Sequence, residues 1–279
     1  MAAGAQARRL SVAVVGLGGV GGGAADSLAA AGRHDITACT RQSIARFTLE
    51  RAEGTVEAPL RLLAEPAQAK PVDWVLVCTK THQTAAAGPW LARLCTPATR
   101  VAVLQNGIDH TARVAPLAGG ATIVPVLVYF NGERLASDRV RIRHAGSFDA
   151  VVADDDPGRA FVDLFEGTPL RIIRSGDFAT LAWRKLLINA VANPITALTL
   201  QRQAVLRRSD VRDLCRGILD EAVAAARAEG VKLAEDETAR TIATLENFSG
   251  ELGTSMYFDR LAGRRVEVEA LTGAIVAAG

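Results

Sequence analysis

The sequence predicts an α/β chain in two parts: a doubly wound parallel sheet over residues 1–175 and an all-helical part over residues 176–279. Three observations predict it. Short β-branched runs alternate with helical patterns through the first half. A glycine loop, Gly16-Leu17-Gly18-Gly19-Val20-Gly21, joins the first of these runs to the first helix. Beyond Asp177 the strand signals stop and long apolar helical segments take over.

Leu10 to Val15 is a short apolar run of the kind that forms a buried parallel strand. Val20 to Ala31 is small and apolar with one charge, Asp26, and suits a helix packed close to a sheet. Ile36 to Thr40, Trp74 to Cys78 and Val101 to Leu104 read as further strands, with a helix from about Thr81 to Leu94 between the last two. Ala121 to Phe130 reads as one more strand. Val140 to Arg143 alternates apolar and charged residues, as a half-exposed strand would, and Ala150 to Ala153 is expected to pair with it. The turn-rich Asp154-Asp155-Asp156-Pro157-Gly158 opens a short helix. The boundary falls near Ser175-Gly176. Helices are expected over Phe178–Val191, Val211–Glu229, Asp236–Asn247 and Arg260–Ala278.

Composition removes several function classes. Over 279 residues the formal net charge is +2 and aromatics are 5%, which argues against nucleic acid as the partner. Cys39, Cys78, Cys95 and Cys215 form no C-x-x-C pair and have no histidine at ligand spacing. They read as small buried hydrophobes in a reducing compartment, and no metal site is expected. Arg8-Arg9 before an apolar stretch resembles a twin-arginine export signal, but six glycines between Gly16 and Gly23, followed by Asp26, break the apolar run. No other segment is long and apolar enough to cross a membrane, so a soluble, cytoplasmic protein is expected.

Gly16, Gly18 and Gly21 match G-x-G-x-x-G directly after a strand and at the start of a helix, the fingerprint of a Rossmann-type dinucleotide site. Gly16 would allow the tight turn, Gly18 the approach of the pyrophosphate, and Gly21 the close packing of helix on strand. The helix N-terminus then offers free N–H groups to the phosphates. Twenty residues beyond Gly21, where an NAD site places an acid for the ribose hydroxyls, stands Arg41. A guanidinium there suits a 2′-phosphate, so NADP(H) is the expected cofactor.

A second feature is polar. Lys185, Asn189 and Asn193 are spaced by four and line one face of an otherwise apolar helix. A buried lysine and two buried amides must find partners or face a cavity, and a lysine in a cleft can hold and deliver a proton. Spacing alone leaves other readings open. Asn193 before Pro194 could cap a new helix, and Lys185 could reach solvent.

Taken together these residues resemble the ketopantoate reductase family, NADPH-dependent enzymes of pantothenate synthesis. The resemblance spans nearly the whole chain. It rests on the glycine loop, Cys78-Thr-Lys80 with Gln83, Gln105-Asn106-Gly107, Trp183-Arg-Lys185-Leu followed by Asn189 and Asn193-Pro194, and Ser255 with Glu267. It implies that Lys185 protonates the keto oxygen of 2-dehydropantoate as hydride arrives, and that Glu267 orients the substrate hydroxyl. It further implies that Asn106 lies beside the nicotinamide and the lysine, that Asn189, Asn193 and Ser255 bind substrate, and that Lys80, Gln83 and Arg41 contact NADP(H). The chain departs from the family pattern at Gln203, where a further substrate-binding asparagine would stand, and at Glu269, a rival to Glu267 for the acid. The resemblance also implies a further helix beyond Gly279, either absent or outside the given sequence. Two alternatives remain at this stage: a reductase of another bulky 2-keto acid, and a non-catalytic NADP(H)-binding sensor. An exposed apolar helical face would make a homodimer, a point that composition does not decide.

Overall fold

The computed structural model describes residues 8–51, 54–144 and 146–279. The chain divides into two compact units. One holds the residues up to Gln105 together with His110–Gly176; the other holds Asn106–Asp109 together with Asp177–Gly279.

In chain order, the first unit comprises β1 (Ser11–Val15), α1 (Gly19–Ala31), β2 (Asp35–Cys39), β3 (Thr48–Arg51), β4 (Gly54–Glu57), β5 (Arg61–Leu63), β6 (Trp74–Val77), α2 (Thr84–Leu94), β7 (Arg100–Val103), α3 (His110–Val114), β8 (Thr122–Pro125), β9 (Leu127–Val128), β10 (Asn131–Ala136), β11 (Arg139–Arg143), β12 (Ala150–Ala153), α4 (Asp156–Leu164) and β13 (Ile172–Ser175). Six strands form one sheet in the order β5-β2-β1-β6-β7-β8, with every neighbouring pair parallel. The order reverses between β1 and β6. In such sheets the crevice at the carboxyl ends of the two central strands is the place where ligands bind.

The period of two along each strand accounts for burial on both faces. Val12 and Val14 of β1, with Trp74 and Leu76 of β6, join one core beneath α1 and α4. Ala13 and Val15, with Val75 and Val77, join a second core beneath α2. The strands therefore read as continuous apolar runs. Helix α1 is built from small residues because it is buried nearly all round.

The run from Ala121 to Phe130 is not one strand. β8 is an edge strand ending at Pro125, which has no N–H for the ladder, and after Val126 the chain enters a different sheet as β9. Nor does Ala150–Ala153 pair with Val140–Arg143. β12 lies between β13 and β9, whereas β11 lies in a four-stranded sheet ordered β10-β11-β3-β4. That sheet is tied to α1 by Phe47, Val140 and Ile142, whose side chains fill the space left by Gly22 and Gly23. The turn at Asp155 behaves as expected: its carboxylate accepts from Gly158 N at 2.7 Å and caps α4.

The second unit is helical: α5 (Phe178–Thr199), α6 (Ser209–Ala228), α7 (Glu237–Asn247), α8 (Ser255–Leu261) and α9 (Thr272–Ala278). α5 runs unbroken through Pro194, so Asn193 is not a helix cap. The expected helix Arg260–Ala278 is two helices. α8 ends at Leu261, Gly263 takes a left-handed φ of 64°, and residues 264–267 follow without helix before α9.

Glu237 ties α7 to α5. It is 3% exposed, accepts Arg184 Nε at 2.8 Å and Nη2 at 3.0 Å, and also accepts Ala234 N. Arg184 holds its carboxyl below the ordinary range. Glu237→Ala would leave a guanidinium face and an amide without an acceptor. With Arg184 partly exposed, the expected loss is about 2 kcal/mol in urea unfolding at neutral pH. Because the folded carboxyl titrates low, the ion pair contributes above the unfolded carboxyl's value, about 4.3, and the contribution fades as pH falls below it. The wild-type and variant stability curves should therefore converge in acid. A constant gap down to pH 2 would contradict this role.

Candidate active site

The glycine loop occupies the carboxyl end of β1. Gly16 has a φ of 101°, which an L side chain rarely adopts, and its N–H reaches back to Cys39 O at 3.2 Å. A Cβ on Gly21 would stand 2.0 Å from Gly16 O, so this glycine sets how closely α1 approaches β1. Around Gly18 the space is open, with no atom within 4 Å of a would-be Cβ. Gly18 is also the N-cap of α1. The first turn of the helix thus has neither a capping side chain nor an acid, an arrangement that fits a dinucleotide pyrophosphate. Leu17 is buried, while Val20 is half-buried. Gly19 lies against a neighbour that the sequence did not reveal: its would-be Cβ would fall 1.8 Å from Gly132 O of β10. Two facing glycines let the β10 backbone touch the helix start.

Arg41 follows β2 and is exposed. No acid stands at the end of that strand. Lys80 precedes the short 3₁₀ segment Thr81–Gln83 on the turn after β6, Gln83 ends it, and Gln83 N donates to Lys80 O at 2.8 Å.

The second unit brings together residues remote in sequence. Lys185 Nζ donates to Asn106 Oδ1 at 3.4 Å, and Asn106 Nδ2 donates to Glu267 Oε2 at 3.3 Å. Glu267 is buried at 5% exposure, whereas Glu269 is exposed and paired with Arg265 at 3.0 Å. Glu267 is thus hydrogen-bonded to the lysine's neighbour Asn106, while Glu269 lies on the exposed side beside Arg265. Burial pushes the Lys185 ammonium down to about 8, and the charge of Glu267 pulls it partly back up. An unperturbed lysine titrates at about 10.4.

Asn189 and Asn193 lie one and two turns along α5 from Lys185. Asn193 is 4% exposed, and neither side-chain amide has a hydrogen-bond partner among the described residues. Two amides without partners on the lysine's face can donate to and accept from a polar ligand. Ser255 opens α8 and is exposed. The start of α8 is fixed to α5 by Thr196 Oγ1 and Thr254 Oγ1, 2.7 Å apart, while Thr254 also caps α8 through Tyr257 N. Gln203, in the turn after α5, has a buried Oε1 without a partner. Sequence reasoning missed a polar group of Thr79, Thr84, His110 and Arg113 around the buried Gln105. Nothing in its spacing signals it, because the members come from three different elements. Among the described residues there is no cluster of histidine, cysteine and carboxylates able to hold a metal, and no helix is long and apolar enough to cross a membrane.

The family description "Ketopantoate reductase PanE/ApbA" matches residues 12–156, and its companion "Ketopantoate reductase PanE/ApbA C terminal" matches residues 177–279. The chain is 37% identical to a 2-dehydropantoate 2-reductase from Caulobacter vibrioides, over 96% of this chain and 92% of that protein. It is similar in structure to a PanE/ApbA family ketopantoate reductase from Ralstonia eutropha, with a TM-score of 0.86 and 27% identity over 96% of this chain and 91% of the other. A dimeric ketopantoate reductase from Staphylococcus aureus superimposes with a TM-score of 0.84 at 26% identity, over 96% and 91% of the two chains. With a parallel sheet that reverses order beside a glycine loop, a Lys–Asn–Glu set in a helical unit and both family descriptions matched, the chain belongs to the ketopantoate reductase family.

Proposed function

We propose that this chain reduces 2-dehydropantoate to pantoate with NADPH. The observation that carries this reading is the lysine Nζ held within hydrogen-bonding distance of Asn106, beside a buried carboxylate and two amides without partners. When bound, the nicotinamide supplies a hydride to the substrate's keto carbon. The amides at the start of α1 bind the pyrophosphate, with Lys80 and Gln83 on the adjoining turn, and Arg41 binds the 2′-phosphate. Lys185 donates its proton to the keto oxygen as negative charge develops there. Asn106 holds the lysine in place, while Glu267 accepts from a substrate hydroxyl. Asn189, Asn193 and Ser255 bind the polar groups of the substrate. A sensor that only binds the dinucleotide would have no use for a lysine with a lowered pKa. The Staphylococcus aureus relative is dimeric, and we extend a homodimer to this chain; Leu198 and Val276, 84% and 80% exposed, offer apolar surface for a second copy.

The test is NADPH oxidation across a panel of 2-keto acids that includes 2-dehydropantoate. 2-Dehydropantoate should give the highest kcat/KM. A larger value for another bulky 2-keto acid would move the chain to a different substrate within the same chemistry. NADPH binding without turnover of any member would favour the sensor.

A further inference from the structure

Asn106 is the hub of the candidate active site, yet it sits on a four-residue loop, 106–109, that leaves the first unit at Gln105 and returns to it at His110. Both ends of this loop are anchored. Gln105 is 4% exposed. Its Nε2 donates to Thr79 O and Thr79 Oγ1, each at 3.0 Å, and lies 2.9 Å from Thr84 Oγ1. Its Oε1 accepts from Arg113 Nη1 at 2.9 Å. At the other end His110, the first residue of α3, is 1% exposed, and its Nε2 lies 2.9 Å from Gln105 O. A carbonyl only accepts, so that ring nitrogen carries the proton and donates. The bond closes the base of the loop.

We propose that His110 and Gln105 are positioning residues for the reaction, pinning both ends of the 106–109 loop so that the Asn106 amide is held against Lys185 and Glu267. Neither touches the reacting atoms; both act through Asn106. The Gln105 amide does a second task, because Thr79 precedes Lys80. One buried side chain therefore sets both the turn offered to the cofactor and the loop that carries Asn106. A short loop with a fixed base has few conformations left, whereas one with a free end does not hold an amide to within a fraction of an ångström. Misplacement of that size costs rate rather than cofactor affinity.

This inference rests on the reductase reading, and its test separates the two. His110→Phe removes the donor and keeps the volume; His110→Gln restores an N–H of similar reach. His110→Phe is expected to lower kcat about tenfold while leaving the KM for NADPH close to that of the wild type. His110→Gln should recover most of the loss. Combined with Asn106→Ala, His110→Phe should add nothing to the loss that Asn106→Ala causes alone, because both remove the same function. Multiplying losses, or equal losses in His110→Phe and His110→Gln, would overturn the proposal. The same cycle is read on the rate at which acetic anhydride acylates Lys185, followed by peptide mass spectrometry, which needs no turnover. There, Asn106→Ala, His110→Phe and the double variant should change the rate by one common factor. If no 2-keto acid is reduced by the wild type, the reductase reading fails and the acylation cycle still decides the positioning role. An unchanged acylation rate in His110→Phe overturns it.

Discussion

Lys185→Ala is expected to lower kcat by about a thousandfold, the range for loss of a positioned general acid, while NADPH binding stays near that of the wild type. The pH profile should carry the same signature. Burial has brought the ammonium down to about 8, so the acid is present below that pH and lost above it. kcat for keto acid reduction should therefore fall as pH rises through about 8. Oxidation of the alcohol, which needs the neutral amine as base, should rise over the same interval. Lys185→Arg keeps the positive charge but cannot surrender its proton in this range. It should retain substrate binding and lose both the rate and the alkaline limb. Glu267→Gln removes the charge that holds the lysine's value up, so the limb should move to lower pH. A Lys185→Ala enzyme within tenfold of wild-type kcat would remove this residue from the chemistry.

The second large effect is expected at Arg41. Charge-assisted hydrogen bonds to a phosphate contribute about 1.5–3 kcal/mol, so Arg41→Ala should raise the KM for NADPH by up to about a hundredfold. The constants for NADH should hardly change, because no 2′-phosphate is there to be lost. The readout is the ratio of kcat/KM for the two cofactors, which should collapse toward unity in the variant. A wild-type enzyme equally efficient with NADH and NADPH would sink the assignment of Arg41 to the phosphate.

The parts of this molecule that were readable from sequence are those governed by short-range rules. Val12 to Val15 announces a strand buried on both faces because each alternate side chain enters a core. The glycines at 16, 18 and 21 announce a turn and a close approach because no other residue fits there. Among the strands that stayed hidden, β3 and β4 have four residues each and β10 is half-exposed, and none carries a periodic apolar signal. Their contribution is to cover α1, and only the contact of Phe47 and Val140 with a glycine stripe reveals it. Helix lengths also misled. The apolar period from Arg260 to Ala278 continues through a segment that Gly263 breaks. Pro194, a nominal stop signal, lies inside α5, where Leu186, Leu187, Ala190 and Val191 are buried before it and Ile195 after it.

The candidate site divides along the same line. By itself the sequence determined the dinucleotide fingerprint, the arginine in place of an acid beyond β2, and the Lys185–Asn189–Asn193 stripe, because each is a matter of spacing within a single element. Only the tertiary structure decided that Glu267 meets Asn106, that burial brings the lysine down to about 8, and that Gln105 and His110 close the loop between them. Those outcomes depend on burial and on distances between residues up to 161 positions apart. Desolvation and hydrogen bonding act over a few ångströms of space, and spacing along the chain does not encode which distant groups share them.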